Sequence, residues 1–125
     1  MIMKNIKRSC GETIIGEKSF VWGSRTYVMG VINATPDSFS GDGVAYDVMD
    51  AIVLAEEYES HGVDIIDVGG ESTRPSSRYG GVRRVSVEEE LARVMPVIES
   101  LAKVVTVPLS IDTYKAEVAR EALSS

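Results

Sequence analysis

The chain has 125 residues with a formal net charge of -6, 44% hydrophobic and 26% charged residues. That is length and apolar content enough for one packed domain, and the acidic balance argues against a duplex nucleic-acid binder, which needs a basic face. Cys10 is the only cysteine and His61 the only histidine, so disulfide frameworks, cysteine-rich metal sites, multi-histidine metal sites and Ser-His-Asp catalysis are all excluded within the chain. Lys4, Lys7 and Arg8 open the chain without an apolar stretch of signal-peptide length behind them, and no run approaches membrane-spanning length. The compartment expected is the cytoplasm, with no membrane and no nucleic acid as partner.

Residues 1–25 predict a β-hairpin: Glu12 to Ile15, a turn at Gly16-Glu17-Lys18, then Phe20 to Trp22. Gly23-Ser24 ends it. Tyr27 to Ile32 is an apolar run of strand length that finishes on polar Asn33. After a loop containing Pro36, Gly41 and Gly43, the stretch Asp47 to Ser60 places Val48, Ala51, Ile52, Ala55 and Tyr58 on one helical face. His61-Gly62 is its expected stop.

Val63 to Val68 is a β-branched run that leads into Gly69-Gly70 and a polar loop reaching Val85. Ser86 with Glu89 has the spacing of a capping box. The helix behind it is expected to bury Leu91, Val94, Met95, Ile98, Leu101 and Ala102, with a bend at Pro96. Leu109 to Ile111 is a third strand ending on Asp112, and Lys115 to Leu123 has helical composition. A hairpin followed by three β-α units over residues 26–125 implies a parallel sheet of the α/β class. Three units do not close a (β/α)8 barrel, which takes eight strands and roughly 250 residues, so the sheet taken alone is expected to have an open edge.

The polar residues gather where strands end, which is the ligand-binding face of parallel β/α architectures. In the first loop, the Asn33 amide can give its oxygen to a hard cation or simply tether its own turn; on spacing alone the local role comes first. Asp37 and Ser38 carry the same pair of readings. Phe39, set among Ser, Asp and Gly, has little core to join and can cap a planar ligand. From Glu71 to Arg84 there are four arginines and one acid, a local +3 on an acidic chain. Arg74 lies nearest the strand end and is the one assigned to an anion; Arg78, Arg83 and Arg84 read as a solvated loop. Gly69-Gly70 either lets backbone approach a ligand or turns the chain. Asp112 can accept two hydrogen bonds from a guanidine-like edge or serve as a helix N-cap, and spacing does not separate the two. Asp67 is read as inside the barrel or behind the site.

Val28-Met29-Gly30-Val31-Ile32-Asn33-Ala34-Thr35-Pro36-Asp37-Ser38-Phe39-Ser40 resembles the first signature of the dihydropteroate synthase family, and Asp64 through Pro75 resembles the second. Ser110-Ile111-Asp112-Thr113 with Lys115 resembles the third. Order and spacing agree from residue 26 to 123. The resemblance implies the N-terminal part of a TIM-type (β/α)8 barrel. It implies an enzyme that joins 4-aminobenzoate to 6-hydroxymethyl-7,8-dihydropterin pyrophosphate and releases pyrophosphate, with Mg2+ as cofactor. It also implies a homodimeric parent and a sulfonamide target.

By matching position, Asn33 is the implied magnesium ligand. Thr73 and Asp112 would contact the pterin. Asp37, Phe39, Thr73, Arg74 and Pro75 would belong to two loops that order the aminobenzoate and pyrophosphate sites. Ser76 stands where the family has Gly after Arg-Pro, and Ser77 to Gly81 lengthen that loop; the first loop reads Ser40-Gly41-Asp42-Gly43 rather than the commoner Ser-Asp-Gly-Gly. The family's later site residues fall beyond residue 125, so the chain by itself is expected to be inactive. Two other readings compete. A methyltetrahydrofolate-corrinoid methyltransferase barrel shares the pterin-binding acid but does not need the Thr-Pro-Asp-Ser-Phe or Ser-Thr-Arg-Pro motifs. A non-catalytic fragment or partner subunit would fold by docking on complementary units.

Overall fold

The computed structural model describes residues 10–35, 48–71 and 84–125. Strands β1 (Glu12–Ile15) and β2 (Lys18–Val21) form an antiparallel hairpin with Ile15 opposite Lys18. The turn is therefore the two residues Gly16-Glu17, with Gly16 at φ 60°, the position at which II′ hairpins take glycine. The second strand starts two residues before the Phe20 expected from sequence, because the ladder closes directly on this turn. Phe20 is buried and meets Tyr27 and Trp22 at ring-centroid distances of 5.0 and 5.9 Å.

Strands β3 (Met29–Asn33), β4 (Ile65–Gly69) and β5 (Leu109–Asp112) form a parallel sheet in the order β3-β4-β5. Helix α1 (Val48–Ser60) connects the first two strands, α2 (Val87–Val104) the next two, and α3 (Ala116–Leu123) follows. The expected order is thus present, with boundaries moved by one or two residues. Gly62 has φ 83° and accommodates the left-handed exit of α1, where Val63 N donates to Tyr58 O at 3.2 Å.

Alternation along the strands sends Ile32, Ile66 and Val68 to one face, where they are fully buried against Ala51, Ala55, Val94, Val97, Leu101 and Val118. In α2 the buried stripe is Glu90, Val94, Val97, Ile98 and Leu101. It differs from the expected one: Val97 is buried while Ala102 is exposed and Leu91 and Met95 are only half-buried, and a carboxylate joins the set. Ser86 caps α2 by accepting from Glu89 N at 3.1 Å, and Pro96 lies within one continuous helix.

The hairpin is fastened at the N-terminal end of the sheet. Arg25 donates twice to the Asp64 carboxylate at 2.6 and 2.9 Å, Val28 N donates to it at 2.8 Å, and Lys18 Nζ lies 3.2 Å from it. The Arg25 guanidinium first, and then the Val28 N–H, hold this buried carboxyl well below the usual carboxylate range. Glu59, at the end of α1, similarly accepts from Thr106 N and Oγ1 and Val107 N at 2.5–3.2 Å, tying the α2–β5 connection down. These two acids fix the bottom of the sheet and leave the opposite end open for other work.

Candidate active site

The register of the parallel ladder decides which polar residues meet. Asn33 pairs with Gly69, and Gly69 with Asp112, so all three stand at one level on the C-terminal tips. They also share the face opposite the helices, since Ile32 and Val68 beside them point into the core. Strand spacing puts Asn33 and Asp112 on either side of Gly69, roughly 10 Å apart between backbones. Both are exposed. A Cβ on Gly69 would stand 3.6 Å from Asp112 Cβ, so glycine leaves open the shelf between the amide and the carboxylate.

One level below come Val31, Asp67 and Ser110. Ser110 Oγ donates to Asp67 Oδ1 at 2.5 Å. Burial pushes the Asp67 carboxyl up despite that hydrogen bond, and the negative charge of Asp112 adds to the rise. Asp67 therefore lies on the same face, behind the exposed tips. Asp112 is not the N-cap of the following helix: that position is Lys115, whose N–H donates to Thr113 Oγ1 at 3.1 Å. The capping alternative for Asp112 is removed, and its carboxylate is left at the open tip.

Gly69 and Gly70 have different tasks. Gly70 faces α2, where a Cβ would come 2.7 Å from Val94 Cγ1 and 3.0 Å from Glu90 Cγ. Its carbonyl accepts from Arg93 Nη1 at 2.9 Å, and Arg93 Nη2 bonds Glu89 at 2.7 Å. The glycine pair is thus one open shelf and one close packing contact.

Sequence reasoning did not find a second cluster just beyond. Lys115 Nζ reaches Glu71 Oε2 at 2.6 Å and Glu90 Oε2 at 2.5 Å, and sits 4.3 Å from the Tyr114 ring. Tyr114 OH also lies 3.4 Å from Glu71 Oε1. The Lys115 side chain is 10% exposed, Glu71 14% and Glu90 1%, so this is a largely dry charge cluster. Burial pulls the Lys115 ammonium down, but its bonds to Glu71 and Glu90 more than reverse that, and it stays charged. The Glu71 carboxyl is held low by the same lysine. The available signal was Glu90 at the head of an apolar stripe, four residues before Val94.

Asp37, Phe39, Thr73, Arg74, Pro75 and Ser76 lie outside the described residues. Of the residues expected to form the site, the structure brings together Asn33 and Asp112. A separate hollow of about 510 Å3, lined by Ile15 to Lys18, Thr106, Pro108 and Leu109, opens at the hairpin end, away from the tips.

Residues 29–125 match the family described as pterin binding enzyme. The chain is 50% identical over 111 residues to a dihydropteroate synthase of Clostridium beijerinckii, covering 89% of this chain and 39% of that protein. A Xanthomonas albilineans dihydropteroate synthase solved with 4-aminobenzoic acid superposes with TM-score 0.76 at 42% identity, over 90% of this chain and 40% of that one. A Yersinia pestis dihydropteroate synthase in a sulfonamide drug complex gives TM-score 0.76 and 42% identity, over 91% of this chain and 39% of that one. The chain spans about two-fifths of the length of these relatives. Its hairpin and three β-α units are an N-terminal portion of their barrel. With the three tips aligned, the helices on one face and the family match running from β3 to the last residue, the chain belongs to the pterin binding enzymes.

Proposed function

We propose that the full-length protein carrying this chain is a cytoplasmic dihydropteroate synthase, a homodimer, joining 4-aminobenzoate to 6-hydroxymethyl-7,8-dihydropterin pyrophosphate with release of pyrophosphate. The observation that carries this reading is the alignment of Asn33, Gly69 and Asp112 on one rank of one sheet face. The relatives of known activity support it.

Asp112 grips the amino-pyrimidine edge of the pterin, because an exposed carboxylate accepts two parallel N–H bonds from such an edge. Gly69 leaves space for the flat ring. Thr73 contacts the ring from the second loop, and Arg74 takes the pyrophosphate through its planar fork. Asp37, Phe39, Pro75 and Ser76 complete the walls around the aminobenzoate. The amine nitrogen of 4-aminobenzoate attacks the methylene carbon as the carbon–oxygen bond to pyrophosphate breaks, and the nitrogen then loses a proton. Arg74 stabilises the charge that accumulates on the departing oxygens.

Magnesium fits the donors at the tips. Among the described residues no group of three His, Cys, Asp or Glu gathers into a protein cage. Magnesium keeps several waters and is held by few protein ligands beside substrate phosphates, and Asn33 would offer it an exposed amide oxygen. When bound, it neutralises charge on the pyrophosphate as that group leaves.

The test uses the full-length protein with both substrates and follows pyrophosphate release and dihydropteroate formation. Sulfonamides are expected to compete with 4-aminobenzoate. Asp112→Asn is expected to weaken pterin binding at least about tenfold, or about 1.4 kcal/mol, with the melting midpoint nearly unmoved. Unchanged affinity in calorimetry would remove Asp112 from the site.

A further inference from the structure

We propose that Lys115 is a positioning residue that sets the spacing between the Asp112 tip and the root of the second loop. This rests on the synthase reading above and assigns to that site a part it does not yet have. Lys115 follows Asp112 by three residues, on the short connection between β5 and α3. Its ammonium joins Glu71, two residues past the end of β4, to Glu90 on the buried face of α2. One cation thereby ties three elements at the end of the sheet where the tips are. Gly70, between β4 and Glu71, is already seated on Val94 and held by Arg93. Ser72, Thr73 and Arg74 follow Glu71 directly in the chain, so the segment that carries them departs from this anchored point.

A dry cluster of one lysine and two carboxylates is weak evidence for stability, since apolar groups of similar volume serve the fold as well. What apolar groups do not provide is direction. Charge-assisted bonds hold Glu71 at a fixed place relative to β5, and a displacement of about 1 Å in a positioning group can cost on the order of a hundredfold in rate. The cluster accordingly acts on the geometry between the pterin-gripping carboxylate and Glu71, the point from which the second loop departs.

The experiment uses the full-length protein and four variants. Lys115→Met should lower kcat/KM for 4-aminobenzoate at least tenfold while calorimetric affinity for the pterin pyrophosphate changes less than threefold. Glu71→Gln, which leaves the Lys115–Glu90 pair in place and so keeps the fold, should move kcat/KM in the same direction by about threefold. The double variant Lys115→Met/Glu90→Met removes the orphaned buried carboxylate; it should recover the melting midpoint lost by Lys115→Met but not the kcat/KM. Lys115→Arg, which preserves both ion pairs, should retain most of the activity. Recovery of kcat/KM by the double variant, or normal kcat/KM in Glu71→Gln, would show a purely structural lysine and overturn the proposal. A wild-type protein that neither binds the pterin nor turns it over would instead sink the synthase reading, and this inference with it.

Discussion

Two aspartates show how neighbours decide the meaning of one residue type. Asp64 stands one residue before β4, buried, and receives Arg25, Val28 N and Lys18. Asp112 stands at the far end of the adjacent strand, exposed and open. The first holds the hairpin on; the second is available to a ligand. Because the folded state depresses the Asp64 pKa, its stabilisation is complete above the unfolded value near pH 4 and is lost as pH falls through the lower folded value. Asp64→Asn should therefore lower the melting midpoint by about 5–10 °C at pH 7. It should also flatten the acid limb below about pH 4 relative to wild type. Thermal melts across pH 2 to 8 check both, and an unaltered acid limb would count against Asp64 as the titrating group. Nothing local distinguishes the two aspartates: each borders a short apolar strand, and only the position along that strand separates clasp from tip.

At the scale of elements, the glycine pair after β4 makes a sharper test than either residue alone. Gly69 looks across the shelf between β3 and β5 and has ordinary van der Waals room for a methyl group. Gly70 looks at α2 and has none. Gly69→Ala should leave stability within about 1 kcal/mol of wild type while it reduces pterin affinity, because the methyl group fills the shelf. Gly70→Ala should cost about 1–3 kcal/mol, since Val94 and Glu90 must move on a packed helix. Denaturant melts together with pterin calorimetry on the full-length protein separate these outcomes; a fold equally disturbed by both would refute the division of tasks. The elements themselves were legible. Short apolar and β-branched runs located the three strands, and helical spacing, a capping box and composition the three helices, to within a few residues, since each signal lies inside its own segment. The exact stripe of α2 was not. Val97 and Ala102 are both apolar and flank the Val94-Ile98-Leu101 stripe on opposite sides, and which flank is covered depends on where α1, α3 and the sheet press against the helix.

On the scale of the whole molecule, among the described residues one face of the sheet carries helices and the other does not. Met29 and Val31, alternating with buried Gly30 and Ile32, are 50% and 46% exposed. Parallel sheets are ordinarily covered on both faces, and the relatives of this chain are more than twice its length. The 125-residue chain taken alone should therefore bind a hydrophobic dye or self-associate, and should form no dihydropteroate. Dye fluorescence, sedimentation and a turnover assay on the purified chain measure all three. Measurable turnover would show that the chain's own tips suffice, and a monomer that binds no dye would show that the open face has found its own cover.

The amino-acid sequence alone determined the kinds and order of the elements, the family resemblance and the strand-end placement of Asn33 and Asp112, because each is written in short stretches of neighbouring residues. Tertiary structure decided which of those residues share a level, that Gly70 serves a helix while Gly69 serves the shelf, and that Lys115 joins Glu71 to buried Glu90. The reason is physical. Side-chain direction follows from the local backbone, whereas a cross-strand register or an ion pair between residues 44 or 25 positions apart is set by the sum of packing over the whole sheet.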